Sequence, residues 1–264
     1  VSVVRRLQGP RGLGFSVAVP IIKPLLWATV SRDWREGLRI PAEGGCVVAL
    51  NHNSHVDPLT AAHLVYDRGR LPRYLAKSGL FTTPVIGPFM RAAGQIPVER
   101  ESAAAAGAFD AAVEAVRAGE CVVVYPEGTI TRDPDGWPMR GKSGAARIAL
   151  RTGCPVVPVG QWGAQALLAP YSGRPHLLPP RKRVTMLVGE PVDLDDLRAR
   201  VAPGAEPDAE IVVEATERIM RAIVGLVAEI RDEVPPATLF DPRAAGQRAF
   251  GNPKRGPQAR EEAS

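Results

Sequence analysis

A chain of 264 residues with 45% hydrophobic content is long enough for one large α/β domain or two small ones around a real core. Its formal net charge of +5 favours acidic partners such as phosphorylated substrates, anionic lipid or nucleic acid, but aromatics at 5% speak against base stacking and hence against nucleic acid. The three cysteines, Cys46, Cys121 and Cys154, are dispersed and form no C-x-x-C, which argues against a zinc cluster or disulfide framework and for a reducing compartment.

The first element is "LGFSVAVPIIKPLLWATV", residues 13–30. It is apolar but short for a span, broken by Pro20 and Pro24 and charged at Lys23. No small-x-small cleavage site precedes "SRD", so it does not read as a signal peptide. Arg5, Arg6 and Arg11 precede it, and Arg32, Arg35 and Arg39 follow. An apolar, kinked segment between basic flanks suits a helix lying in the bilayer interface; the alternatives are a first helix packed on the domain, or a true span. Next come a buried strand "CVVAL" (46–50), a helix from Asp57 to Gly69, a strand "RYLAK" (73–77), a short helix ending at Gly94, and a strand "QIPVER" (95–100). An alanine-rich helix (101–119), a buried strand "CVVVY" (121–125), a long polar loop (126–141) and a basic helix (142–153) follow. Two more strands lie at 155–162 and 184–191. In the long helix over 208–233, Val212, Ile219, Ile223, Val227 and Ile230 recur at helical spacing. Strands alternating with helices predict an α/β fold, a mixed, largely parallel sheet flanked by helices. Residues 1–35 form the N-terminal interfacial segment, 36–234 the main domain, and 235–264 a Pro-, Gly- and charge-rich tail that is disordered or loosely draped.

The chain has four histidines, and "NHNSHVDP" (51–58) holds two of them, His52 and His55, with Asp57. Three readings compete. A metal site usually collects a further ligand from later in the chain, where only His63 and His176 remain as histidines. A catalytic base with an orienting carboxylate needs His52 and Asp57 to meet. Five residues apart on a regular helix they lie about 140° round the axis, so the chain must turn between them. The turn-forming residues and Pro58 supply that turn, His52 hangs off a strand's C-terminal end, and Asp57 folds back to accept the imidazole N–H. The third reading is a plain helix N-cap with spare histidines. No G-x-S-x-G nucleophile motif is present, so a histidine base here would activate an incoming hydroxyl directly.

"NHNSHVDP" resembles the N-H-x-S-x-x-D block of the glycerolipid acyltransferases, the family of the bacterial 1-acyl-glycerol-3-phosphate acyltransferases. "GQIPVER", ending in Arg100, is similar to that family's second block. "VYPEGTITR", with Pro126, Glu127, Gly128 and Thr129, is similar to the third, and "VVPVG", carrying Pro158, resembles the fourth. The resemblance covers roughly residues 35 to 195, with the four blocks in order, each at a strand end.

The resemblance implies an α/β acyltransferase domain with an N-terminal helical membrane-docking element. It implies that His52 takes the proton from an acceptor hydroxyl that attacks an acyl thioester, with Asp57 as its orienter. Glu127 then positions the acceptor or the block-one loop, or is structural. Asn51, Ser54, Gly128, Thr129, Arg132, Lys142 and Pro158 are the matching substrate-binding positions, and Arg100 is the phosphate ligand. Backbone N–H groups near the Glu127–Thr129 turn are the implied donors to the developing oxyanion. No metal or redox cofactor is implied, with acyl-CoA or acyl carrier protein as co-substrate and a lysophospholipid as acceptor. The expected location is the cytoplasmic face of the membrane, peripheral, against an anionic surface. Relatives commonly carry an arginine where this chain has Ile130, which leaves two acceptors: lysophosphatidic acid, or another lyso-lipid or glycolipid. A metallohydrolase and a membrane-binding module without catalysis are the readings from other classes.

Overall fold

The computed structural model describes residues 4–7, 9–98, 105–177, 179–202 and 205–247. Seven strands, β1 (Val30–Arg35), β2 (Cys46–Leu50), β3 (Pro72–Lys77), β4 (Ile96–Val98), β5 (Cys121–Val124), β6 (Val156–Trp162) and β7 (Lys182–Val188), form one sheet. Its order is β1-β7-β6-β2-β5-β3-β4. Neighbours run parallel except β6 and β7, which are antiparallel. The helices are α1 (Gly12–Thr29), α2 (Asp57–Asp67), α3 (Ile86–Ala92), α4 (Ala105–Arg117), α5 (Gly144–Thr152), α6 (Asp195–Ala199) and α7 (Ala209–Arg231).

Strand β2 lies at the centre, between β5 and β6, with all five residues buried. Its side chains alternate between two cores, as strand geometry requires. Val47 and Ala49 join a cluster with α4, α5 and α7, through Ala112, Ile148, Ile219 and Ile223. Cys46, Val48 and Leu50 join the opposite cluster, with Leu26 of α1 and Ala61, Leu64 and Val65 of α2. A parallel strand covered on both faces has no solvent side, which is why "CVVAL" is apolar throughout. Full burial of each large aliphatic side chain here stabilises the fold by roughly 1.5–3 kcal/mol.

The structure departs from the sequence reading in four places. Residues 30–35, read as part of the N-terminal segment, form β1 and pair in parallel with β7. As an edge strand β1 buries Val30 and Trp34 and leaves Ser31, Arg32 and Arg35 exposed, so half its residues are charged and no apolar run marks it. Helix α1 runs unbroken through Pro20 and Pro24. It approaches the end of α3 so closely at Gly14 that a Cβ there would lie 2.4 Å from the Ala93 nitrogen. Short helix α6 lies between the strand ending at 191 and the helix from 208, where the sequence reading assigns no element. The tail is tethered as far as it is described: Arg140 donates its backbone N–H to the Phe240 carbonyl (3.0 Å), and Leu239 packs against the α7-side core.

Candidate active site

The C-terminal ends of β2 and β5 lie side by side, and the loops that leave them build the site. At the end of β2 the Asn51 carboxamide closes a reciprocal set of bonds with β6. Its Oδ1 accepts the Gln161 N–H (2.8 Å), its Nδ2 donates to the Gln161 carbonyl (3.0 Å), and Gln161 Nε2 donates back to the Asn51 carbonyl (2.5 Å). These bonds stop the strand and turn the chain. His52 follows, held at three points by two segments, the loop after β5 and the start of α2. Its N–H donates to Glu127 Oε1 (2.7 Å), its carbonyl accepts the Thr131 N–H (2.7 Å), and its Nδ1 lies 2.8 Å from Asp57 Oδ2.

Asp57 is the first residue of α2 and is fully buried. The same Oδ2 also accepts the N–H groups of Asn53 (2.6 Å) and Ser54 (2.7 Å). Three donors on one oxygen fix the carboxylate and shape the turn around it. A carboxylate only accepts, so the His52 proton sits on Nδ1 and Nε2 is left as the basic nitrogen. The His52 side chain is 15% exposed, and its ring stacks on Tyr125 at 4.3 Å between centroids.

Glu127 is 2% exposed. Its two oxygens accept the His52 N–H and the Met139 N–H (2.9 Å), which ties the β2 loop to the β5 loop. Burial pushes its carboxyl up to about 8 against the pull of those two N–H groups. Burial likewise depresses His55, with the nearby His52 adding to the effect and Asp57 opposing it.

His52 and His55 line a groove of about 1470 Å³. Its walls are mainly apolar: Phe15, Ile22 and Leu26 of α1, Leu59 and Ala62 of α2, and Phe89 and Met90 of α3. Gly128, Thr129, Ile130 and Lys142 line the same space. Gly128 has φ +70°, and a Cβ there would lie 2.8 Å from Lys142 Nζ, so glycine is what lets that ammonium reach over the turn.

Of the residues singled out from the sequence, His52, Gly128, Thr129 and Lys142 therefore meet on the groove, with Asp57 and Glu127 directly behind His52. Asn51, Ser54 and Pro158 take structural positions. Ser54 Oγ donates to the Leu168 carbonyl (2.7 Å) and accepts the Val56 N–H (3.2 Å). Pro158 is buried within β6, opposite Ala49. Arg132 is 9% exposed and sits behind Tyr171, its Nε 3.4 Å from that hydroxyl. Arg100 lies outside the described residues. The Gly128 amide is occupied by the Tyr125 carbonyl (2.9 Å) and that of Thr131 by His52, whereas the amides of Glu127, Thr129 and Ile130 have no protein acceptor among the described residues. Sequence reasoning missed Tyr125 and Tyr171, which reach the site through folding; the only signal for Tyr125 was its place directly before Pro126-Glu127.

The family model described as Acyltransferase matches residues 35–162. Over 160 residues the chain is 31% identical to the 1-acyl-sn-glycerol-3-phosphate acyltransferase of Bacillus subtilis (strain 168), which covers 60% of this chain and 71% of that protein. Over 151 residues it is 32% identical to the chloroplastic 1-acyl-sn-glycerol-3-phosphate acyltransferase BAT2 of Brassica napus, covering 54% of this chain but 42% of that longer protein. The fold is similar to the crystal structure of the 1-acyl-sn-glycerophosphate (LPA) acyltransferase PlsC from Thermotoga maritima, with a TM-score of 0.61 at 23% identity over 84% of this chain and 81% of that one. With the blocks matched in sequence and the Bacillus relative covered over most of its length, the chain belongs to the glycerolipid acyltransferase family.

Proposed function

We propose that this protein transfers a fatty acyl group from a thioester donor to the free hydroxyl of 1-acyl-glycerol-3-phosphate, giving phosphatidic acid, with His52 as general base. The observation that carries the reading is the His52–Asp57 hydrogen bond (2.8 Å) on the wall of a mainly apolar groove. The acceptor hydroxyl gives its proton to His52 Nε2 as its oxygen attacks the thioester carbonyl carbon. Asp57 holds the ring in the required tautomer and offsets the charge of the imidazolium. The Thr129 and Ile130 amides are the donors for the tetrahedral oxyanion. Collapse of that intermediate breaks the C–S bond, and the imidazolium proton leaves with the thiolate. The thioester brings its own leaving group, so the step calls for no metal or redox cofactor; the donor is acyl-CoA or acyl carrier protein. The apolar groove takes an acyl chain, and Lys142 together with Arg100 takes the acceptor phosphate. The apolar outward face of α1 docks the enzyme on a membrane.

A second reading has one observation behind it. Ile130, 2% exposed, puts an apolar side chain on the groove where relatives commonly carry arginine, which favours a different lyso-lipid or glycolipid acceptor. Product mass analysis with lysophosphatidic acid beside a phosphate-free monoacylglycerol separates the two. The first reading expects lysophosphatidic acid to be preferred, and Arg100→Ala to lose roughly one to two decades of kcat/KM on it, the worth of a charge-assisted hydrogen bond. Arg100→Lys recovers part of that loss, because an ammonium cannot make the paired contact. A wild type that prefers the phosphate-free acceptor overturns the first reading in favour of the second.

A further inference from the structure

Residues 4–7 and 9–11 lie beside α1 and enclose with it a second cavity of about 690 Å³, which adjoins the groove at Val19, Lys23 and Tyr66. Four cations line it, Arg5, Arg6, Arg11 and Lys23, and no carboxylate is among its described lining residues. Arg5 donates to the Ile40 (2.9 Å) and Leu38 (3.2 Å) carbonyls, which anchors the segment without neutralising it. Lys23 pairs with Asp67 (2.8 Å) and lies over the Tyr66 and Trp27 rings, and Arg11 lies 5.6 Å from the Tyr66 centroid. Arg6 and Arg11 are exposed and pair with no carboxylate among the described residues.

Beside this cradle, α1 presents an apolar face to solvent. Leu13, Val17 and Ile21 are 82%, 59% and 65% exposed, and Pro20, Pro24 and Ala28 complete the face without a charge. At about 100° per residue Lys23 and Trp27 fall on the flank of that face. We infer that the cradle binds the headgroup phosphate of an anionic phospholipid in the bilayer on which this face of α1 rests. The apolar face calls for hydrocarbon, and cations on its flank then sit at headgroup level, where guanidinium pairs with phosphate and tryptophan is at home. A free anion leaves the exposed apolar face without a partner. A second protein surface leaves uncompensated cations, unless it is itself acidic and apolar together. The inference rests on the membrane-docking part of the proposed function and is independent of the chemistry assigned to His52.

The test uses the full chain and measures binding, not turnover. Sedimentation with phosphatidylcholine vesicles containing phosphatidic acid, phosphatidylglycerol or neither gives the apparent affinity. The wild type is expected to prefer both anionic compositions. Arg6→Gln/Arg11→Gln is expected to weaken that binding about 25-fold, at about fivefold per basic residue at the surface. The control Arg117→Gln/Arg221→Gln removes the same charge from exposed positions on α4 and α7, on the opposite face of the sheet, and is expected to change binding less than twofold by screening over that distance. Leu13→Gln/Val17→Gln is expected to weaken binding to every composition. Equal losses in the cradle and control pairs overturn the site and leave net charge alone. Vesicle binding left unchanged in Arg6→Gln/Arg11→Gln, while that pair loses binding of inorganic phosphate, overturns the lipid assignment in favour of a free-anion site. A wild type that binds no vesicle overturns both the cradle and the docking role of α1, while leaving the His52 reading intact.

Discussion

At the scale of single residues, His52 is defined by what holds it. Three hydrogen bonds from two segments, the loop after β5 and the start of α2, fix its backbone and ring, and Tyr125 fixes its plane. Glu127 belongs to this support. It does not line the groove; it joins the backbone of the β2 loop to that of the loop after β5. The buried carboxyl has a consequence for stability. In the unfolded chain it gives up its proton near the ordinary 4.5, whereas burial in the folded state holds it to about 8. Between those values the folded state binds more protons, so stability is highest below the unfolded value and falls as pH rises through the window. Glu127→Gln removes that term. The variant is expected to be less stable at about pH 5, by roughly 1–3 kcal/mol for the N–H acceptor it loses. Its further decline towards about pH 8 is expected to be smaller than the wild type's by a few kcal/mol at most. Urea unfolding of both proteins across that range measures it, and parallel pH profiles would contradict the burial argument.

At the scale of elements, α1 is held to the domain by packing and by charge. Its inner face buries Gly14, Ala18, Leu26 and Thr29. Lys23, the charge that makes the segment a poor membrane span, reaches Asp67 at the last turn of α2 (2.8 Å), where Arg32 of β1 also arrives (3.3 Å). His63 stands 3.8 Å from the same carboxylate, but burial holds its imidazole down to about 4, so near neutral pH the ion pairs here are those with Lys23 and Arg32, and the neighbouring Arg68 guanidinium also feels the carboxylate's charge. Asp67 thus ties three elements together from a position with a 1% exposed side chain. Removing one partner of a fully buried pair costs about 3–5 kcal/mol. Lys23 and Arg32 are 20% and 34% exposed, so Asp67→Asn is expected to cost less, about 1–3 kcal/mol. It is also expected to speed proteolysis within α1, because the loss falls on that helix's attachment. Unfolding midpoints together with limited proteolysis check both, and an Asp67→Asn protein cut no faster than the wild type would mean that packing alone holds α1.

Across the whole molecule, what the sequence made legible follows from how each part is stabilised. The strands β2, β5 and β6 are covered on both faces, so they appear as uninterrupted apolar runs. Helix α7 buries one face, and its pattern marks it. Strand β1 was hidden because an edge strand needs only one apolar side, and α6 because five residues carry too little pattern. The His52–Asp57 pair was legible because both partners fall within one turn of chain. Tyr125, Tyr171 and the support from Glu127 come from other segments, and only the folded sheet shows their contacts. The separation of Asn51, Ser54 and Pro158 from the groove wall was likewise invisible, since a family motif does not distinguish a residue that touches substrate from one that fixes the loop. The proposed function needs the groove and the His52–Asp57 pair to work together in moving an acyl group. The most direct test is kcat/KM for transfer from an acyl thioester to lysophosphatidic acid in wild type, His52→Ala and His55→Ala. Loss of the base is expected to lower it by at least ~10²-fold in His52→Ala, with the fold intact. His55→Ala, which removes a groove-lining ring bonded to neither Asp57 nor Glu127, is expected to have a much smaller effect. Activity abolished in His55→Ala and spared in His52→Ala would contradict the account.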